Sequence, residues 1–193
     1  MHTATYADWI RPRNITNIRI YDILLVLTAS FLLSLSARIA VQLPFSPVPV
    51  TAQTFAVLVL GAILGRKRAV SAVLIYLVQG ISGLPVFAGG NAGFIYLTGL
   101  TGGYLIGFIP AVYLCGYLAE RRWDRHYLTS FLLFVCGSAI IYVFGTGWLA
   151  LFTSVKFALT AGFYPFLPGD LLKICLAVAI LPYAWKMTKK INP

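Results

Sequence analysis

Charge is what this chain has least of. Of its 193 residues five are acidic and 10% are charged, while 60% are hydrophobic and the mean hydropathy is +0.86. Soluble domains carry about 25% charged residues, so a solvated globular surface is excluded and a polytopic membrane protein remains. Histidine occurs twice, at His2 and His126, outside the apolar runs. The three cysteines, Cys115, Cys136 and Cys175, lie inside apolar stretches and have no metal-ligand spacing. An odd number speaks against a disulfide framework, and the three read as small core hydrophobes. No metal and no cofactor is implied. The string G-x-x-x-x-G-K-[ST] is missing, so this chain does not hydrolyse ATP through a Walker A loop. The first twenty residues hold no apolar h-region, which argues against a cleaved signal peptide.

What is present is a set of six apolar segments, at 21–42, 52–64, 69–83, 100–119, 127–151 and 169–185. The first, fourth and fifth suffice to span alone, since about 20 residues cross the hydrocarbon core. The second and third are short. The basic residues fall between the segments in alternation. Arg11, Arg13 and Arg19 precede the first; Arg66, Lys67 and Arg68 separate the second and third. Arg121, Arg122 and Arg125 separate the fourth and fifth; Lys186, Lys189 and Lys190 follow the sixth. Only Lys156 lies on the other side. The positive-inside rule then predicts six transmembrane helices with both termini cytoplasmic. The net charge of +10 is therefore topology, with an added attraction to the lipid bilayer, and implies no nucleic acid. The expected organisation is an all-α membrane protein: a cytoplasmic segment 1–20, one six-helix domain 21–185 and a basic cytoplasmic tail 186–193. The long external loops 43–51, 84–99 and 152–168 are nearly uncharged and rich in Pro, Gly and aromatics. Such loops are too apolar to be solvated linkers, and are expected to be ordered and to cover a pocket.

Asp170 and Lys173 stand three residues apart in FLPGDLLKICLAVAIL, on one face of an otherwise apolar helix. Each charge at a bilayer centre costs about 2.5–3.5 kcal/mol, so the pair is a functional-site hypothesis by default. Asp170 also falls in the first turn, where a carboxylate caps free N–H groups. Capping does not account for Lys173, one turn deeper. Arg38, near the outer end of the first helix, either snorkels to the headgroups or faces inward to receive a carboxylate. Asn91, in GGNAG, is either a turn residue or a polar group offered to something bound beneath the loop. Gln53 sits in an apolar setting and needs a partner. Gly102, Gly103 and Gly107 read as close-approach positions between helices, and Gly89 and Gly90 as turn residues at positive φ. Ser30 and Ser34, and Ser36 and Ala40, give the first helix a small-residue stripe suited to close contact.

Two protease readings fail on missing partners. Gly80-Ile81-Ser82-Gly83 matches the GxSG of rhomboid proteases, but no span holds the histidine base that the serine needs. Pro168-Gly169-Asp170 matches part of an aspartyl intramembrane protease motif, which needs a second carboxylate. Asp22, at the cytoplasmic start of the first helix, lies at the opposite end. The chain is not expected to be an enzyme.

Four motifs in register, PFSPVPVTAQT, GLPVFAGG, TGGYLIGF and FLPGDLLK, cover 43–173. Their order and spacing resemble the BioY family of bacterial biotin transporters, the substrate-capture (S) components of energy-coupling-factor transporters. The resemblance implies capture of biotin from the external side of the bacterial cell membrane. It also implies a transmembrane T component and ATPase subunits as partners. A proton-coupled secondary carrier acting alone is the alternative. By the same resemblance Asp170 and Lys173 match the polar pair of the biotin pocket, and Asn91 matches an amide of several relatives. A carboxylate suits the two ureido N–H donors, and an ammonium or amide suits the carbonyl. Phe45, Phe87, Phe94, Tyr104 and Phe166 are expected to wall the rings and chain. Some relatives carry an arginine after TGGY where this chain has Leu105, so Arg38 is the candidate for the biotin carboxylate. Leu100 stands where proline is common.

Overall fold

A computed structural model describes residues 5–11 and 17–191, with side chains to residue 188. The helices are α1 (Tyr6–Trp9), α2 (Ile18–Arg38), α3 (Gln53–Leu64), α4 (Arg66–Ile81), α5 (Phe94–Thr98), α6 (Gly102–Glu120), α7 (Tyr127–Phe152), α8 (Val155–Gly162) and α9 (Leu167–Ile191). Two-residue strands β1 (Ala40–Val41) and β2 (Val50–Thr51) pair antiparallel. All six apolar segments fall on helices, namely α2, α3, α4, α6, α7 and α9. Three single helices, α2, α6 and α7, are long and apolar enough to cross a membrane, and the run Val155–Thr188 is a fourth. At 12 and 16 residues, α3 and α4 are shorter, about 18 and 24 Å at 1.5 Å per residue. Gly65 joins them at φ 80, a conformation few other residues adopt.

Helix α6 is the central element and packs on α7, α3 and α4. Its expected close-approach glycines are such positions: a Cβ at Gly107 would lie 3.0 Å from the Phe144 Cβ. Gly89 and Gly90 take φ 69 and 82, as the turn reading requires. Around this core runs an exposed apolar belt that includes Ile23, Leu24, Phe31, Val143, Leu172 and Ile180. An exposed apolar surface of this extent suits lipid. The belt corrects the cysteine expectation: Cys115 is buried, but Cys136 and Cys175 are exposed. Apolar neighbours in a membrane helix do not imply burial in protein, because one face meets lipid. On α2, Ser30 is fully buried and donates to Gln79 Oε1 of α4 at 3.0 Å, while Ser34 bonds back to its own helix. Part of the stripe is thus an internal contact.

The end opposite the long loops is closed by α1. Thr5 and Asp8 form a capping box, and Arg68 bridges Asp8 at 2.6 Å and Asp22 at 2.8 Å. The Tyr21 hydroxyl donates to the Ala7 carbonyl, and Tyr6 meets Trp185 edge to face. Burial pushes the Asp8 carboxyl up, but hydrogen bonds from Thr5 and Arg68 outweigh it and hold it below the usual 3.8. A depressed carboxylate stabilises the docked state above its unfolded pKa and ceases to as pH falls through the folded value. Docking of α1 should therefore persist at pH 5 and weaken below about pH 4. A spin label at exposed Ile10 reports it; release already at pH 6 would contradict this origin. Among the basic residues of the topology count, Arg13 lies outside the described residues and Lys189 and Lys190 outside the described side chains; His2 also lies outside the described residues.

Candidate ligand-binding site

The first and third of the long loops are tied to each other, and the middle one to the helices around it. The proline-rich stretch closes as a hairpin, with Ala40 opposite Thr51 and Val41 opposite Val50. Its tip is pinned by Ser46, which is buried, donates to the Ala161 carbonyl at 2.7 Å and accepts from the Val48 N–H. Tyr104 donates to the Gly162 carbonyl at 2.7 Å, and Trp148 Nε1 to the Gly99 carbonyl at 3.0 Å. The middle loop is held to the end of α4 by Gly93 N–H on the Gly80 carbonyl, 2.7 Å.

Beneath these loops lies a small cavity of about 50 Å³ between the hairpin, α3, α6, α7 and α9. Val48, Tyr96, Tyr104, Leu105, Phe108 and Phe166 give it apolar walls. Its polar groups are Thr51, Gln53, Thr54, Thr101, Tyr142, Asp170 and Lys173. Asp170 is 6% exposed, which decides that it must be paired within the protein. Lys173 Nζ donates to Asp170 Oδ1 at 2.7 Å, to the Thr51 carbonyl at 2.8 Å and to Thr54 Oγ1 at 3.0 Å. Thr54 reaches Asp170 Oδ1 at 3.2 Å, and the Tyr142 hydroxyl donates to Oδ2 at 2.6 Å.

An ionised carboxylate has about four lone-pair sites. Three of them are used here, and the remaining one is on Oδ2. The carboxylate takes no backbone N–H among the described residues, so Asp170 sits in the first turn of α9 without capping it. Gln53 is buried and its amide donates to the Tyr76 hydroxyl at 2.5 Å. Its amide oxygen takes no hydrogen bond from the described residues.

Of the expected site residues, Asp170, Lys173, Gln53 and Tyr104 thus line one cavity. Asn91 lines a second, outer cavity that shares Pro49, Ala88, Tyr96 and Thr101 with the first, and its side chain donates to the Ala88 carbonyl at 2.7 Å. Phe87 is fully buried behind the wall, stacked on Tyr96 and edge-on to Tyr76. Arg38 lines neither cavity: it donates to the Pro85 carbonyl at 2.7 Å and packs against Gly90, so it braces the middle loop. Among the expected walls Phe166 lines the cavity, while Phe45 and Phe94 are exposed outside it. Sequence reasoning passed over Tyr142, Thr54, Tyr96 and Thr101. A phenol in mid-span needs a partner, and that signal pointed to Tyr142. Burial pushes the Tyr96 phenol up, against the hydrogen bond with Thr101, so it presents a neutral hydroxyl at the mouth.

A family model described as the BioY family matches residues 11–190. A protein of Rhizobium etli named biotin transporter BioY is 35% identical over 167 residues, 81% of this chain and 89% of that protein. One of Thermotoga maritima with the same name is 39% identical over 142 residues, 72% of this chain and 82% of that protein. A probable biotin transporter BioY of Pyrococcus horikoshii is 39% identical over 149 residues, 77% and 86% of the two chains. Among solved structures, the S-component for biotin from an ECF-type ABC transporter matches with a TM-score of 0.80 at 23% identity, over 89% of this chain and 94% of that one. At that identity the match establishes a shared fold.

Proposed function

The chain belongs to the BioY family, and from that premise we infer that it is the biotin-capturing S component of an energy-coupling-factor transporter. The observation that carries this reading is the Asp170–Lys173 pair on the floor of an apolar, loop-covered cavity. Two acceptors there take no hydrogen bond from the described residues, one lone pair of Asp170 Oδ2 and the Gln53 amide oxygen. They answer the two N–H donors of a ureido ring. All three Lys173 donors are engaged, so Lys173 reaches the ureido carbonyl by releasing Thr51 or Thr54. The apolar walls take the thiophane ring and valeryl chain. Tyr96 and Thr101 at the mouth take the carboxylate end, because Arg38 would first have to leave Pro85.

In this reading α3 and α4 complete six spans in a bacterial cell membrane, both termini are cytoplasmic and the loops face outward. The basic turns support it. Helix α2, the least buried of the long helices, offers its face to lipid or to a T component, and partner ATPases supply the energy. Radiolabelled biotin retained by purified protein tests the assignment. Uptake by this chain alone that collapses with the proton gradient would favour a secondary carrier instead. Tyr142→Phe removes one hydrogen bond to a charged group, an interaction of about 1.5–3 kcal/mol. Biotin affinity should fall by about tenfold or more with the fold intact. An unchanged dissociation constant would remove Tyr142 from the site.

A further inference from the structure

At the end opposite the loops, a further cleft of about 430 Å³ opens between α4 and α6, lined by Arg66, Lys67, Val70, Ser71 and Tyr113. Gly116 lets the two helices meet there, since a Cβ at that position would lie 2.6 Å from the Arg66 Cα. The three cations of the α3–α4 turn are not equivalent. Arg68 is neutralised by Asp8 and Asp22. Arg66 shares Glu120 at 3.2 Å. Lys67 is exposed and has no ion-pair partner among the described residues. Beside it Tyr113 stacks on Tyr117 at 6.4 Å, and the Arg121 guanidinium lies 4.0 Å over the Tyr117 ring. One unneutralised cation, Lys67, thus stands at the cleft, next to tyrosines of the kind that settle at headgroup depth, with an exposed serine hydroxyl one turn above the lysine. Apolar surface continues from Val70 and Leu74 toward the bilayer centre.

We propose that this cleft binds the headgroup of an anionic phospholipid, with Lys67 and Arg66 on the phosphate, Ser71 and Tyr113 as hydrogen-bond donors and the acyl chains along α4. The proposal rests on the six-span topology above for its depth, and is independent of the biotin assignment. Native mass spectrometry of the purified protein tests it, with phosphatidylglycerol, phosphatidylcholine and inorganic phosphate as probes. Phosphatidylglycerol should bind at least about fivefold tighter than phosphatidylcholine, the ratio expected for one surface cation. Lys67→Gln should remove that preference, and Ser71→Leu should weaken binding by crowding the cleft. Both variants should elute as the same monodisperse peak as the wild type in size-exclusion chromatography, which reports an intact fold. Equal retention of the two lipids by the wild type, or an undiminished preference in Lys67→Gln, overturns the proposal. Displacement of the lipid by millimolar inorganic phosphate would mark a small-anion site and overturn it as well.

Discussion

Asp170→Ala should lower biotin affinity by at least about a hundredfold, the largest effect expected of any change in the cavity. In the proposed site the carboxylate is a ligand group, and it is also the counterion of Lys173 and the acceptor for Thr54 and Tyr142. Removing it leaves an ammonium beside two hydroxyls in a buried pocket. Breaking a buried pair from one side costs about 3–5 kcal/mol. The conservative Asp170→Asn keeps the shape but offers one acceptor oxygen where three donors converge, so it too should bind weakly. Calorimetric titration checks both. Affinity within threefold of wild type in Asp170→Ala would mean that the ureido ring is read elsewhere.

The second large effect is on the bundle itself. Gly103→Val should abolish accumulation of folded protein in the membrane. A Cβ at Gly103 would overlap the Trp148 Cβ and stand 2.5 Å from the Phe144 carbonyl oxygen, so α6 and α7 could not keep their contact. Overpacking of a well-filled core typically costs about 1–3 kcal/mol, and here backbone as well as a side chain must move. Trp148 also holds the Gly99 carbonyl, so the same change should loosen the loop over the cavity. Size-exclusion chromatography in detergent would read it. A monodisperse, biotin-binding Gly103→Val protein would show that the helices can separate at no loss.

Much of this was legible in the sequence because the membrane makes sequence patterns strict. Charge is so costly in lipid that Asp170 and Lys173 stood out by being there, and the structure puts them together on the cavity floor. Gly103 was legible for the same reason, since small residues mark close helix contacts. Arg38 was not, because a guanidinium near a helix end has two destinations at equal reach. The deciding partner is the Pro85 carbonyl, 47 residues away. Tyr142 escaped because a tyrosine among apolar residues looks like core; a phenol in mid-span signals that some partner is needed, and its approach to Asp170 from another helix shows which. The cysteines misled in the converse way: apolar surroundings in sequence were taken for burial, whereas Cys136 and Cys175 face outward.

The central claim is that Asp170 and Lys173 form the recognition point for biotin. The most direct measurement is isothermal titration of biotin into the purified wild type and into an Asp170→Ala, Lys173→Ala double variant. The double variant removes both charges, so neither is left unpaired and a loss of binding reports recognition. Saturable binding by the wild type and none by a folded double variant is the predicted result. No binding by the folded wild type, or wild-type affinity in the double variant, would contradict it.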